Sequence, residues 1–244
     1  MPREPVKTAV PTDTQENKAS TMPPMEYDVK VQSLRMSGST KGNVTVTLNG
    51  QFAVRGVNVR EGANGLFVSM PSWKDGNNEY HDVCFPCTKE SRAEFNRAVL
   101  NAFEQASTGG GNDGGQKQMP TETLPLQYDV RIHSLRPGNG ALKGTASVNL
   151  NGQFAIRNVS IMEGSKGLFV STPGFRGGNG MFKDYCYPCT KESRAGLNKA
   201  VIDAYTQALT QSQSANQNQV HEQQAETHTS VMSGAQFSAP VMQM

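Results

Sequence analysis

Apolar and polar residues alternate along Tyr27-Asp28-Val29-Lys30-Val31 and again along Asn43-Val44-Thr45-Val46-Thr47-Leu48. A period of two marks a strand with one buried face. Asn49-Gly50 separates the second run from Phe52 and Val54. A type I′ turn needs positive φ at both central residues, so Asn-Gly between alternating runs predicts a tight hairpin. Beyond the hairpin the parity slips, because Phe52 and Val54 are even while Val57 and Val59 are odd. A strand that changed phase would turn its apolar side to water. A β-bulge near Arg55-Gly56 restores the phase and bends the strand. A turn over 61–65 then leads into Leu66-Phe67-Val68, a short strand stopped by Pro71. Residues 72–78 read as an exposed loop, and 79–85 as the last strand, ended by Pro86. A helix begins near Thr88, a capping residue, with Glu90 favourably placed in the first turn. Phe95, Val99, Ala102, Phe103 and Ala106 share one stripe of that helix.

Every one of these features occurs twice. Asp82-Val83-Cys84-Phe85-Pro86-Cys87-Thr88-Lys89-Glu90-Ser91-Arg92-Ala93 returns 102 residues later as Asp184-Tyr185-Cys186-Tyr187-Pro188-Cys189-Thr190-Lys191-Glu192-Ser193-Arg194-Ala195. The hairpin returns as Asn151-Gly152, the bulge near Arg157-Asn158, and the helix stripe as Leu197, Val201, Ala204, Tyr205 and Ala208. The chain is therefore read as α+β, in two tandem units over 26–106 and 127–209. Each is a curled, mainly antiparallel sheet with one C-terminal amphipathic helix laid on one sheet face. Units of about eighty residues bury modest cores, so the two are expected to pack together as an intramolecular pseudo-dimer. Further oligomerisation is left open.

Composition separates these units from their surroundings. Residues 1–25 lack an apolar period and read as an N-terminal tail. Residues 107–126 hold Gly109-Gly110-Gly111, Gly114-Gly115, Pro120 and Pro125, the make-up of a flexible linker. Residues 210–244 are rich in Gln and Ser and carry no Lys or Arg, so they are expected to be disordered. These flanks lower the hydrophobic fraction to 36% and the charged fraction to 18%. No run has the apolar length of a membrane span, and the N-terminus lacks the apolar core of a secretory signal. A cytoplasmic location is expected, where four cysteines would not be structural disulfides. The net charge of +2 conceals a split. Unit 1 has nine Lys and Arg against nine Asp and Glu; unit 2 has ten against five. A polyanion would be drawn more strongly to unit 2.

The order of alternating strand, hairpin, Gly-Leu-Phe-Val-Ser-Met-Pro, a cation-bearing loop, Asp-x-x-x-Pro and helix resembles the stage V sporulation protein G (SpoVG) family. The pieces are Gly65-Leu66-Phe67-Val68-Ser69-Met70-Pro71 with Asp82 and Pro86. The second copy has Gly167-Leu168-Phe169-Val170-Ser171-Thr172-Pro173 with Asp184 and Pro188. The resemblance implies a small α+β protein that dimerises through its sheet, binds DNA and RNA, and acts in septation, sporulation and gene regulation. It implies unit 2 in the place of a partner subunit, and nucleic-acid contacts made partly by basic residues of the loop.

Candidate chemistry follows from charge and placement. Lys74 beside Trp73, and Arg176 beside Phe175, put a cation next to an aromatic ring on a Gly-containing loop. Phosphate would meet the cation and a base the ring, unless the ring folds back on the sheet. Lys183, between Phe182 and Asp184, adds a cation in unit 2. Lys89 and Arg97, with Lys191 and Lys199, lie on the outer arc of each helix and are candidate phosphate contacts. Arg92 and Arg194 fall at the stripe edge, where their stems could lie on the core and their heads pair with a carboxylate. Cys84, Cys87, Cys186 and Cys189 read chiefly as small apolar closures of a strand. A four-thiolate zinc site and thiols activated at a helix N-terminus are the alternatives. No catalytic triad, phosphate loop or His-Glu-x-x-His arrangement is present. The expectation is a non-catalytic DNA- or RNA-binding regulator without a cofactor. A scaffold of cell division, or a zinc-stabilised binding protein, stands as the alternative.

Overall fold

The computed structural model describes residues 25–109, 125–138, 140–177 and 180–232, with side chains as far as Ser214. Residues 1–24 of the N-terminal tail and 110–124 of the linker lie outside these residues, whereas Met25 and Leu126, read as tail and linker, are buried in the core. In unit 1, β1 (Tyr27–Leu34), β2 (Thr40–Leu48), β3 (Phe52–Gly62) and β4 (Gly65–Ser69) form an antiparallel sheet. β5 (Ser72–Lys74) and β6 (Tyr80–Asp82) pair only with each other, as a two-stranded ribbon. β7 (Cys84–Pro86) and α1 (Lys89–Ser107) close the unit. Unit 2 repeats the order as β8 (Tyr128–Leu135), β9 (Leu142–Leu150), β10 (Phe154–Gly164), β11 (Gly167–Ser171), the ribbon β12 (Gly174–Arg176) and β13 (Phe182–Asp184), β14 (Cys186–Pro188) and α2 (Lys191–Met232).

The hairpin turns carry the required backbone: φ is 48° at Asn49 and 64° at Gly50, then 52° at Asn151 and 67° at Gly152. The bulges are also present. Val54 faces Val46 and Val57 faces Val44, so Arg55 and Gly56 together oppose one residue of β2. In unit 2, Ile156 faces Val148 and Val159 faces Ala146. Phe52, Val54, Val57 and Val59 consequently all reach the core despite their mixed parity. Each helix lies on its own sheet through Phe95, Val99 and Phe103, or through Leu197, Val201 and Tyr205, all buried. Burying a side chain of this size contributes roughly 1.5–3 kcal/mol. Thr88 caps α1 by accepting from the Ser91 N–H at 3.0 Å, while Ser91 Oγ accepts from the Thr88 N–H at 3.1 Å.

The units exchange their last strands. β14 pairs with β3 of unit 1, setting Cys186 opposite Val54 and Pro188 opposite Phe52. β7 pairs with β10 of unit 2, setting Cys84 opposite Ile156 and Pro86 opposite Phe154. The far half of β3 takes β4, and that of β10 takes β11. Each hairpin tip also docks on the other unit's helix cap. The Gln51 carbonyl accepts from the Cys189 N–H at 2.8 Å and from Ser193 Oγ at 3.0 Å. The Gln153 carbonyl accepts from the Cys87 N–H at 2.8 Å and from Ser91 Oγ at 3.1 Å. The core is common to both units, and the rings of Phe95 and Phe154 meet across the seam at 6.0 Å. The pseudo-dimer expected from unit size is thus a reciprocal strand exchange.

Two readings are corrected. The stretch 79–85 is not one strand. It divides at Val83, whose N–H donates to Pro71 O in its own unit and whose carbonyl accepts from the Arg157 N–H in the other. Nor does unstructured chain begin at residue 210, because α2 continues to Met232. The copies of this helix differ in their stop signals. Gly109 follows the α1 cap Thr108 with φ of 76°, whereas no Gly or Pro occurs between Gly196 and Gly234. A run rich in Gln, Ala and Glu has favourable helix propensity and nothing to end it.

The exchange makes each unit incomplete. A chain of residues 1–109 should sediment as a dimer or lose its sheet signal in circular dichroism, and a folded monomer would contradict the exchange. Tyr27 supplies a second check. Its ring meets Phe95 edge-on at 5.4 Å, and burial, helped by Glu94, pushes its hydroxyl pKa up to about 12. An exposed tyrosine ionises near 10, so this contribution is complete below about pH 10 and is lost as pH rises towards 12. Tyr27→Phe should remove that part of the alkaline loss, read as a smaller fall in melting temperature between pH 9 and 11.

Candidate functional site

Among the described residues the most exposed aromatic side chains, Tyr80 and Phe182, lie on the two ribbons. Ribbon 1 is closed by Asp75, whose Oδ1 accepts from the N–H groups of Asn77 and Glu79 at 2.8 and 2.9 Å. Its Oδ2 meets His81 Nε2 at 2.9 Å. That side-chain bond, then the Glu79 N–H, holds the Asp75 carboxyl below the usual range. Ribbon 2 has Gly177, Met181 and Lys183 at the positions of Asp75, Glu79 and His81. It closes through its backbone, from Gly177 N–H to Met181 O at 2.8 Å.

The two cation-and-ring pairs differ in their surroundings. Lys74 is exposed, with Nζ 5.6 Å from the Tyr80 ring centre. Trp73 is 39% exposed and lies against His81 at 5.2 Å. Arg176 is exposed, while Phe175 is half-buried and packs against Tyr185 at 4.7 Å. One side of Phe175 is therefore taken up by the fold. The rings standing furthest into solvent are Tyr80 and Phe182, at 72% and 65% exposure. Neither was singled out from sequence: both share the even parity of the buried Cys84 and Pro86, or Cys186 and Pro188, and would be read as inward until the break at Val83 and Tyr185 is seen.

Lys89, Arg97, Lys183, Lys191 and Lys199 are all exposed. Lys199 pairs with Asp203 one turn along α2 at 2.6 Å. Arg92 is half-buried and Arg194 exposed, and among the described residues neither forms an ion pair, so the expected carboxylate partner is not found. Two further arginines flank the bulges and reach across the seam. Arg55 Cζ lies 4.3 Å from the Tyr187 ring centre, and Arg157 Cζ lies 4.6 Å from that of Phe85. Their position in both bulges, where side chains leave the buried face, was the available signal. Their aromatic partners depend on the exchange.

Cys84 and Cys186 are fully buried in the common core and their thiols hydrogen-bond to each other. Burial, then that bond, pushes the Cys186 thiol well up. Cys87 and Cys189 lie at the surface, and desolvation outweighs nearby Arg157 and Arg92, or Arg55, to raise both. The inner pair and the outer thiols are not gathered about one point. The one described group with three ligand atoms within 4.8 Å is Asp75, Glu79 and His81, and the hydrogen bonds closing ribbon 1 account for it. No described helix is long and apolar enough to cross a membrane.

Fold and surface together define a duplicated α+β sheet protein, with its two halves joined by strand exchange and its exposed rings and cations carried on short ribbons. The chain belongs to the SpoVG family, whose model matches twice, over residues 25–105 and 127–207. It is similar to the septation protein SpoVG of Symbiobacterium thermophilum, 43% identical over 118 residues, covering 46% of this chain and 84% of that protein. It is also similar to the SpoVG proteins of Heliobacterium modesticaldum (40% identical, 32% of this chain, 89% of the relative) and Caldanaerobacter subterraneus (36%, 35% and 93%).

The cysteine geometry has a direct readout. Two thiols, Cys87 and Cys189, should react with an aromatic disulfide reagent in the native protein, and four after denaturation. Replacing Cys87 and Cys189 by Ser should abolish the native reaction. Four native-reactive thiols would contradict the buried pair.

Proposed function

We propose that this protein is a non-catalytic, nucleic-acid-binding regulator of the septation type. The observation carrying the reading is that both ribbons expose a cation with an adjoining ring, Lys74 with Tyr80 and Arg176 with Phe182. Neither Tyr80 nor Phe182 contributes to the buried core. Rings left in water beside cations suit bases and phosphates of a strand. Lys89, Arg97, Lys191 and Lys199 extend the positive surface along the helices, and Trp73 and Phe175, each with one side against a neighbouring ring, keep the other for a base. Unit 2 carries most of the attraction, since its ribbon has Gly177, Met181 and Lys183 where unit 1 has Asp75, Glu79 and His81. The septation named for the relatives is the process in which we place this activity, in the cytoplasm.

A scaffold role draws support from α2, which continues past Leu209, the last residue seen packing on the core. Deleting residues 210–244 separates the two readings. Nucleic-acid binding should survive the deletion, and partner capture should not.

Anisotropy of a labelled oligonucleotide, titrated across salt concentrations, tests the main reading. Affinity should fall steeply with salt, because phosphate contacts release counterions. Arg176→Ala should weaken binding several-fold more than Lys74→Ala. Salt-independent binding, or none at micromolar protein, would end the reading.

A further inference from the structure

The seam joins ribbon 2 to unit 1 through a continuous series of rings and cations. Phe175 of β12 packs on Tyr185 at 4.7 Å. Tyr185 passes over the bulge of unit 1, with Cδ1 3.6 Å from where a Cβ on Gly56 would lie. Its carbonyl accepts from the Arg55 N–H at 2.6 Å. The Arg55 guanidinium is exposed and sits over the Tyr187 ring at 4.3 Å. Tyr185 and Tyr187 are half-buried, while Cys186 and Pro188 alternate into the core. Lys183 is paired with Phe175 across ribbon 2 and shares its face, while the exposed Arg176 is paired with Phe182 on the other face.

The pseudo-symmetric series in the other half is broken. Val83 stands where Tyr185 does, and it is buried without a ring to offer. Trp73 packs on His81 instead. The ribbon carries Asp75 and Glu79, and Asp75 is already engaged with His81. Arg157 over Phe85 is the surviving counterpart of Arg55 over Tyr187. Asp184 and Glu192 have equivalents in Asp82 and Glu90, so they do not distinguish the two halves.

We propose that single-stranded nucleic acid follows the composite track of Lys183, Phe175, Tyr185, Arg55 and Tyr187, reaching Arg176 where it rounds the ribbon, one strand per chain, and that the mate track is not used. This rests on the nucleic-acid reading above and adds the strandedness, the path and the stoichiometry. Phosphates meet Arg176 and Lys183. Bases lie over the outer side of Phe175 and over the Arg55 guanidinium, which the ring beneath it holds in place before binding. A preorganised cation loses less freedom when it engages a base or phosphate. A duplex hides its base faces and cannot use such a track. The binding surface takes Arg55 from unit 1 and the rest from unit 2, so it exists only in the exchanged arrangement.

The duplication supplies its own control. Arg55→Ala and Arg157→Ala each remove one stack across the seam, at equivalent places in the fold. They should lower the melting temperature alike. With the full chain and labelled fifteen-nucleotide oligo(dT) or oligo(U), Arg55→Ala should weaken binding about tenfold, the usual scale for losing one stacking contact. Arg157→Ala should change it less than about twofold on the same scale. Lys183→Ala, on the exposed ribbon, provides a variant with no structural load and should weaken binding several-fold. Stoichiometry should be one strand per chain, and a duplex of equal length should bind more weakly than either oligonucleotide. Equal losses for the two arginine variants, two strands per chain, or a preference for duplex would overturn the proposal. Wild-type protein that binds neither oligonucleotide nor duplex would overturn the nucleic-acid reading itself.

Discussion

The backbone of Phe52–Val54, buried within its sheet, must find hydrogen-bond partners on both of its edges. One edge is met by β2. The other is met by β14 from the second unit, and β7 does the same for Phe154–Ile156. A buried strand edge left unpaired would be costly at every peptide group. The exchange therefore fixes the relative placement of the halves, the common core and the docking of each hairpin tip on the opposite helix cap. In this chain, folding within a unit and association between units become one event.

Symmetry at the seam does not extend to the surface. The seam is conserved between copies at the level of shape, with Arg55 over Tyr187 answering Arg157 over Phe85. The ribbons have parted. Ribbon 1 organises itself around a carboxylate that accepts from its own backbone and from His81. Ribbon 2 uses glycine and backbone bonds for the same closure, and among the described residues Lys183 forms no ion pair. A duplicated scaffold thus carries one ribbon whose Asp75 and His81 are engaged with each other and one with Gly177 and the exposed Lys183 in their places.

Much of this architecture was legible in residue patterns. Asn49-Gly50 and the parity slip after Val54 specified a hairpin and a bulge, because backbone conformation at those points follows from local sterics and from keeping one face apolar. The Phe95–Val99–Phe103 stripe specified the helix face. β5 and β12 were missed as strands, since three residues leave no period to read, and β6 was merged with β7 into one strand. The extension of α2 was missed because low hydrophobicity was taken to exclude structure, whereas a helix can persist on propensity when no Gly or Pro interrupts it. Arg55 and Arg157 were passed over because a cation at a bulge has no meaning until its neighbour is known.

The amino-acid order alone determined that there are two like units, which residues enter their cores, where each helix starts, and that unit 2 is the more basic. Only the tertiary structure decided which unit completes which sheet. The segments Cys84–Pro86 and Cys186–Pro188 are so alike that either could close either edge, and a local pattern holds no record of which copy it belongs to. That choice depends on where Pro71, Val83 and Arg157, or Pro173, Tyr185 and Arg55, bring the chain in space. From it follow the pairing of Arg55 with Tyr187 and every surface shared between the halves.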